Sequence, residues 1–169
     1  MIKQATTNDI LEVEKLYNAV SDSNDFCKWK SGVYPALQDI EDDILNGTLY
    51  LHLTDSNISG VIVLDHVPTQ NPDNGSWMID AEDEEVLNVR RFAVHPGYSR
   101  GGIGKLLLNF ADKLASEKGM KTIRLDVYEE NMPAVKVYEK QGYTYIDTVD
   151  LGLGEYGLDW FKLYEKLVK

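Results

Sequence analysis

Hydrophobic positions recur along the chain with two different spacings, and each spacing predicts one kind of secondary structure. Helical spacing, with apolar residues three or four positions apart, covers residues 10–20 and 36–45. Strand-like apolar runs cover residues 1–5, 48–53 and 58–64. The last two runs flank a short polar turn, so they predict a hairpin. The first part of the chain is therefore predicted to form a strand, two helices and a hairpin.

The second half of the chain alternates strand-like runs with helical stripes. The strand-like runs, beginning with a short extra strand, are residues 77–79, 86–94, 122–127, 143–149 and 156–168. The helical stripes are residues 103–114 and 131–141, and each is soon followed by a glycine that suits a helix end. With the short extra strand left aside, the predicted order is β-α-α-β-β-β-α-β-α-β-β.

This order predicts an α/β (α+β) fold in a single domain over residues 1–169, because no repeat, low-complexity segment or long linker divides the chain. The strand–helix–strand run from Val86 to Val127 predicts one right-handed parallel crossover, since parallel neighbours need a long connection. Most other neighbouring strands are predicted to be antiparallel. We therefore expect a mixed, mostly antiparallel sheet of about seven strands with helices on both faces.

Composition narrows the range of functions. The net charge of -11 argues against duplex DNA or RNA as a partner, because phosphate binding needs basic residues. Cys27 is the only cysteine, so an internal disulfide is excluded. The first residues lack the apolar segment of a signal peptide, and no apolar run approaches membrane-spanning length. The expected location is cytoplasmic, without a membrane partner.

The segment between the strand ending at Val94 and the helix beginning at Ile103 is the strongest candidate for chemistry. Gly101, Gly102 and Gly104 fall within four residues there. Backbone N–H groups at the start of a helix, where the helix dipole is positive, bind phosphate groups. The segment therefore predicts a site for a phosphate or pyrophosphate.

Two well-known phosphate loops match this segment poorly. A Walker loop needs a glycine where Ser99 stands and a Ser or Thr where Leu106 stands. A dinucleotide fingerprint that begins at Gly102 needs a glycine in place of Leu107. The segment is therefore neither a typical Walker loop nor a typical dinucleotide fingerprint.

The segment resembles the pyrophosphate loop of the GNAT N-acetyltransferases, which reads Gln/Arg-x-x-Gly-x-Gly/Ala after an apolar-Ala-Val-x-Pro strand end. Here residues 92–96 read Phe-Ala-Val-His-Pro, and residues 99–104 read Ser-Arg-Gly-Gly-Ile-Gly. Ser99 replaces the usual Gln or Arg, and Arg100 stands where glycine is common. A second family motif, Asn-x-x-Ala-x-x-x-Tyr-x-x-x-Gly-Tyr, occupies residues 131–143. The resemblance covers nearly the whole chain and implies the GNAT fold, with acetyl-CoA or coenzyme A as cofactor.

The resemblance also implies which residues bind that cofactor. Backbone groups of Phe92 and Val94, with Ala93 between them, would bind the pantetheine arm. Asn131 and Ala134 of the second motif would contact the cofactor as well. The pyrophosphate would be held by the loop residues Ser99, Arg100, Gly101, Gly102, Ile103, Gly104 and Lys105.

Catalytic roles follow from the same resemblance. Tyr138 is the candidate acid, because its phenol would protonate the departing CoA thiolate or at least hydrogen-bond it. The strand position that carries a glutamate in many GNAT enzymes is Asn88, which cannot act as a base. Glu85 is the candidate base acting through water, and Glu84 and His95 are alternatives. Binding of the neutral amine, with no strong base, is a further alternative.

The acceptor is expected to be an amine on a small molecule or a peptide. The candidate substrate-binding residues are Trp29, Tyr34, Arg91, Tyr156 and Trp160. If Arg90 or Arg91 faces the cleft, the acceptor carries a carboxylate; otherwise both pair with the acidic residues 80–85. The histidines lack the spacing of metal ligands, so no metal is expected.

These observations together predict an N-acetyltransferase in which an amine attacks acetyl-CoA directly within a ternary complex. One alternative is a non-catalytic module that senses acetyl-CoA, and another is a nucleotide-binding regulator. The sequence leaves open the acceptor amine, the acyl chain and the oligomeric state, a homodimer included.

Overall fold

The computed structural model describes residues 1–23, 26–72 and 77–169. Its strands and helices follow one another in the predicted order. They are β1 (Ile2–Gln4), α1 (Ile10–Ser23), α2 (Leu37–Leu45), β2 (Leu49–Thr54), β3 (Asn57–Asp65), β4 (Val86–Val94), α3 (Ile103–Glu117), β5 (Thr122–Tyr128), α4 (Met132–Lys140), β6 (Thr144–Val149) and β7 (Phe161–Leu167). Over the same described residues, every helix is too short or too polar to cross a membrane.

The strands form one seven-stranded sheet in the order β1-β2-β3-β4-β5-β7-β6. The pairing of β4 with β5 is parallel, and it joins Val86, Leu87 and Asn88 to Thr122, Ile123 and Arg124. The pairs β1/β2, β2/β3, β5/β7 and β6/β7 are antiparallel. The predicted fold class, a mixed and mostly antiparallel sheet with one parallel crossover, is confirmed.

Two predicted strand segments are wrong. Trp77–Ile79 forms no strand, because its backbone bonds to side chains instead: the Met78 N–H donates to Glu165 and the Ile79 carbonyl accepts from Arg124. The last strand begins at Phe161 rather than at Tyr156. Tyr156 belongs instead to a short 3₁₀ turn, Gly154–Tyr156, which is followed by Gly157 with φ +76°. Residues 73–76 of the predicted polar loop lie outside the described residues.

Contacts divide the chain into two compact units, and β4 and α3 contribute residues to both. The first unit comprises Met1–Leu64 and Arg90–Phe110, and the second comprises Asp65–Val89 and Ala111–Lys169. The prediction of a single domain over residues 1–169 stays a prediction.

In the first unit, helices pack on both faces of the strands. Along β3, Val61 and Val63 point into a core shared with α1 and α2. Gly60 points the other way, where a Cβ would lie 2.8 Å from Ile103 and 2.9 Å from Leu107 of α3. Because side chains alternate across a strand, the two sets lie on opposite faces. The core residues of α1 and α2 are Val13, Leu16, Tyr17, Val20, Ile40 and Ile44.

In the second unit, the centre is β5, whose side chains are buried except at Asp126. Arg124 and Glu165 form a buried ion pair with an N···O distance of 3.0 Å. The Trp77 ring lies 4.5 Å from the Arg124 guanidinium carbon, and Thr122 donates a hydrogen bond of 2.9 Å to Glu165. Every oxygen of the buried carboxylate is therefore hydrogen-bonded, which such a charge requires.

Candidate functional site

The backbone of β4 departs from extended geometry at Arg91, where φ is +42°. A residue in the left-handed region interrupts a strand in the way that bulges do. Phe92 and Val94 are half-buried, and Ala93 between them is buried. The sequence-predicted pantetheine residues therefore follow directly after an irregular point of the strand.

The turn after β4 is ordered by its own hydrogen bonds. His95 Nδ1 accepts from the Gly97 N–H at 3.0 Å, and the His95 carbonyl accepts from the Tyr98 N–H at 2.9 Å. Ser99 donates to the Pro96 carbonyl through both its N–H and its hydroxyl. The Ser99 side chain thus closes the turn, where the family loop carries a longer Gln or Arg.

Left-handed residues then lead the chain into α3. Arg100 has φ +71° and Gly102 has φ +74°. The Gly102 carbonyl accepts from the Leu106 N–H at 3.1 Å, which is the first bond of the helix. The N–H groups at the start of a helix have no partner within it and can hold an anion. Those groups belong to the predicted loop residues Ile103, Gly104 and Lys105.

The structure brings together three predicted acceptor-binding residues of the first unit. The Tyr34 hydroxyl accepts a long bond of 3.5 Å from Arg91, and Trp29 packs edge-on against Tyr34 with centroids 6.3 Å apart. Trp29 also packs edge-on against the buried Tyr17. Tyr34 is exposed at 44%, so the edge of this aromatic group reaches solvent.

Arg91 is held by a residue that the sequence analysis did not single out. Its guanidinium bonds both carboxylate oxygens of Asp43 on α2, at 2.7 and 2.5 Å. Burial lowers the pKa of Arg91, but the bonds to Asp43 and Tyr34 outweigh it and raise the pKa. Of the two alternatives for Arg91, pairing with residues 80–85 is not what the structure shows, because the carboxylate partner of Arg91 lies on α2.

At the start of α4, the second family motif has the geometry of a helix cap. The Asn131 side chain accepts from the Ala134 N–H at 3.4 Å, and Pro133 occupies the first turn. Asparagine just before a helix accepts a hydrogen bond from an N–H group of the first turn, and proline within that turn has no N–H that would need an acceptor. Asn131 and Ala134 are therefore adjacent, as their predicted shared role requires.

Tyr138 is buried on α4, with 5% of its surface exposed. Its ring packs against Tyr143 and Tyr164, at centroid distances of 5.7 and 6.4 Å. Burial, and then the negative charge of Asp126, raise the pKa of Tyr138. The phenol therefore holds its proton more tightly than a free tyrosine does, which keeps it a hydrogen-bond donor and makes it a weaker acid.

Asp126 is a residue that the sequence analysis missed. It is the single exposed position of β5, and its charge acts on Tyr138. In the sequence, Asp126 stands in the strand segment Ile-Arg-Leu-Asp-Val, residues 123–127, where apolar and charged side chains alternate.

Glu85 lies in a different setting. It precedes β4, accepts from the Glu82 N–H at 3.0 Å and pairs with Lys121 at 2.8 Å. The hydrogen bond from Lys121, and then that from Glu82, lower the pKa of Glu85. A lowered pKa weakens a base. The role of Glu85 stays a prediction that these contacts do not favour.

Asn88, at the position of the usual strand glutamate, is buried. Its Oδ1 accepts from the N–H and the hydroxyl of Thr69, the latter at 2.7 Å. Its Nδ2 is buried with no hydrogen-bond partner among the residues that the structure describes. Asn88 therefore anchors the segment after β3.

Tyr156 and Trp160, the predicted acceptor-binding residues of the second unit, are exposed at 63% and 47%. They lie in the segment before β7, which is tied to the end of β5. The Tyr128 hydroxyl donates to the Gly157 carbonyl at 3.2 Å, and the Trp160 carbonyl accepts from the Glu129 N–H. Both aromatic side chains are thus presented to solvent beside the end of β5.

Comparison with known proteins gives a family match over most of the chain. Residues 13–143 match the model of the acetyltransferase (GNAT) family. An uncharacterized N-acetyltransferase of Methanocaldococcus jannaschii is 31% identical over 68 residues, which is 40% of this chain and 30% of that protein. Streptothricin acetyltransferase of Streptomyces lavendulae is 32% identical over 59 residues, which is 35% of this chain and 31% of that protein. The chain thus aligns with less than a third of the length of either relative.

Solved structures with the same fold cover the whole chain. A GNAT-family acetyltransferase from Streptococcus pneumoniae has a TM-score of 0.75 and 20% identity, covering 100% of this chain and 99% of that one. PaiA N-acetyltransferase from Thermoplasma acidophilum, solved in complex with coenzyme A, has a TM-score of 0.75 and 19% identity, covering 99% and 98%. At such identities the likeness establishes the fold.

Proposed function

The chain belongs to the acetyltransferase (GNAT) family, and from that premise we propose that it transfers the acetyl group of acetyl-CoA to an amine. The observation that carries the proposal is the turn after β4. There the left-handed Arg100 and Gly102 lead into the start of α3, where helix N–H groups can hold a pyrophosphate. Coenzyme A in the complex of the Thermoplasma acidophilum relative supports the choice of cofactor.

The residues present suit that cofactor. Gly101 and Gly102 carry no side chain that would cover the turn, and Lys105 adds a positive charge at the start of α3. Backbone groups of Phe92 and Val94 would pair with the pantetheine arm, which has amide groups of its own. When bound, acetyl-CoA would supply the activated acetyl thioester.

Two residues of the second unit would handle protons. We assign the base to Asp126, whose exposed carboxylate would take a proton from the acceptor ammonium so that the neutral amine can attack. Tyr138 would give its proton to the leaving thiolate and regain one from the attacking nitrogen as the amide forms. This assignment replaces Glu85, which is engaged by Lys121.

The second candidate function is a non-catalytic acetyl-CoA sensor. It is favoured by Asn88, which stands where many relatives are expected to carry a glutamate and which is fully buried. Tyr138 argues against it, because a sensor needs no proton donor.

One experiment separates the two functions. Acetyl-CoA binding is measured by calorimetry, and free thiol is then followed with a panel of small amines, peptides with free N-termini and peptides with lysine. Binding together with amine-dependent thiol release supports the acetyltransferase. Binding without release on any amine supports the sensor, and absence of binding contradicts both.

A further inference from the structure

We infer that the buried ion pair between Arg91 and Asp43 is a positioning device, which holds the left-handed backbone of β4 in the shape that acetyl-CoA binding requires. The inference rests on the proposed function, because its readout is cofactor affinity. It assigns Arg91 a role different from binding an acceptor carboxylate.

The backbone at Arg91 needs an external restraint. Its φ of +42° lies in a region that side chains with a Cβ disfavour, and no glycine relieves the strain at this point. Left alone, the strand would relax toward extended geometry. The residues whose backbone would then move are Phe92 and Val94, which follow at once.

Three contacts from neighbouring segments supply the restraint. Asp43 on α2 bonds the guanidinium at two nitrogens, with distances of 2.7 and 2.5 Å. The Tyr17 hydroxyl donates to the Arg91 carbonyl, and the Tyr34 hydroxyl accepts from the guanidinium, each at 3.5 Å. A two-point bond to a planar guanidinium fixes its orientation as well as its position.

Burial shows that the pair is not an ordinary surface ion pair. The side chains of Arg91 and Asp43 are exposed at only 6% and 8%. Buried pairs contribute little net stability compared with apolar residues of similar volume, so their use in a fold points to specificity of structure. With both carboxylate oxygens on Arg91, the guanidinium is already neutralised and is a poor ligand for a second carboxylate.

Straightening β4 at Arg91 would change what the next residues present. Backbone groups and side chains alternate along a strand, so a change at one residue rotates all those that follow. Ala93 is buried, and its carbonyl lies 3.3 Å from the position of a Cβ on Gly60. The strand after Arg91 is therefore closely packed in one register, which the ion pair preserves.

The test uses two substitutions of Arg91 that differ in backbone freedom. Arg91→Ala loses the ion pair and keeps a residue that disfavours positive φ, whereas Arg91→Gly loses the pair but accepts positive φ readily. The acetyl-CoA Kd is measured by calorimetry on the full-length chain, below the unfolding temperature of each variant. We expect Arg91→Ala to weaken binding about tenfold or more, and Arg91→Gly to bind at least about threefold more tightly than Arg91→Ala.

The matched control is Glu165→Gln, which disturbs the other buried arginine pair, that with Arg124. It should lose thermal stability while its acetyl-CoA Kd stays within about twofold of wild type. If Arg91→Ala does not fold, Arg91→Lys replaces it, since lysine keeps the charge without the two-point bond, and its Kd should again exceed that of wild type.

Each outcome decides the inference. Wild-type affinity in Arg91→Ala overturns it, and so does an equal loss of affinity in Arg91→Gly and Arg91→Ala, because the backbone would then not matter. An equal loss in Glu165→Gln overturns it by showing that general destabilisation is the cause. If wild-type protein itself binds no acetyl-CoA, the proposed function fails first and the inference falls with it.

Discussion

At the scale of single residues, the proton-transfer roles proposed for Tyr138 and Asp126 rest on how differently the two side chains are surrounded. Tyr138 is buried among other tyrosines, and Asp126 is the exposed carboxylate whose charge acts on it. The two groups have opposite needs, because an acid must hold its proton and a base must lose it. Burial serves the first group and solvent serves the second.

Tyr138→Phe is expected to lower turnover at least about tenfold while the acetyl-CoA Kd stays near that of wild type. The ring and its packing are kept, so only the proton donor is lost. Steady-state kinetics and calorimetry provide the two numbers. Tyr145→Phe, which removes the hydroxyl of an exposed tyrosine, is the control and should leave both turnover and the acetyl-CoA Kd unchanged. Unchanged turnover in Tyr138→Phe would remove this residue from the mechanism.

Asp126→Asn is expected to lower kcat/KM about a hundredfold near neutral pH, because the acceptor ammonium loses its base. The loss should shrink as the pH rises toward the pKa of the acceptor amine, since solvent then deprotonates it. Glu85→Gln is measured in parallel and should cost little. A larger loss in Glu85→Gln would restore the sequence-based assignment.

Arg100→Gly is expected to raise the free energy of unfolding by about 0.5–1 kcal/mol, because glycine adopts a φ of +71° without steric cost. Urea denaturation gives the measurement. Lys105→Gly lies in the first turn of α3 and should instead lower stability, by less than about 1 kcal/mol. A destabilised Arg100→Gly would show that the arginine side chain makes a stabilising contact there.

At the scale of elements, close approaches decide which residues a helix or strand can carry. Helical spacing places Leu37, Ile40, Ile44 and Leu45 on one face of α2, yet Leu37 and Leu45 are exposed at 42% and 85%. Asp43 is buried in their place because Arg91 neutralises it. The helical period thus predicted the element correctly and misplaced its inner face.

Gly60→Ala is expected to destabilise the protein by about 1–3 kcal/mol, because the new Cβ would lie 2.8 Å from Ile103 and 2.9 Å from Leu107. The change would push α3 away from β3. Gly154→Ala, where the nearest atom is the flexible Asp159 carboxylate at 3.3 Å, is the control and should cost less. Equal urea midpoints for the two variants would contradict this packing argument.

At the scale of the whole molecule, the net charge of -11 coexists with buried polar groups in both units. In the first unit, His52 is buried, and its Nδ1 lies 2.7 Å from the Ser59 hydroxyl. Burial, and then the N-terminal ammonium, lower the pKa of His52. Folding therefore favours the neutral imidazole.

The free energy of unfolding should consequently fall as the pH drops below about 6.5, the ordinary histidine value. Protons bind His52 more tightly in the unfolded chain, so acid shifts the equilibrium toward unfolding, and the loss levels off below the folded-state pKa. Urea denaturation at about pH 7.5 and 5.5 gives the slope of the free energy of unfolding against pH, for wild type and for His52→Gln. An identical slope in the two proteins would exclude His52 as its source.

Much of the fold could be predicted from the sequence because local rules control it. The order of strands and helices followed from apolar spacing, and β4 was predicted at its observed bounds, Val86–Val94. Two segments were mispredicted as strand. The backbone groups of Met78 and Ile79 bond to distant side chains, and the residues Gly154–Tyr156 form a turn before β7. Apolar content alone cannot show where a backbone finds its partners.

The sequence by itself determined the elements, their order, the parallel crossover and the glycine turn, because each depends on residues close together in the chain. Only the tertiary structure decided that Asp43 holds Arg91, that Asp126 acts on Tyr138 and that Lys121 engages Glu85. Those pairs join residues from different elements. Their charges and pKa values depend on burial and distance, which exist only once the chain has folded.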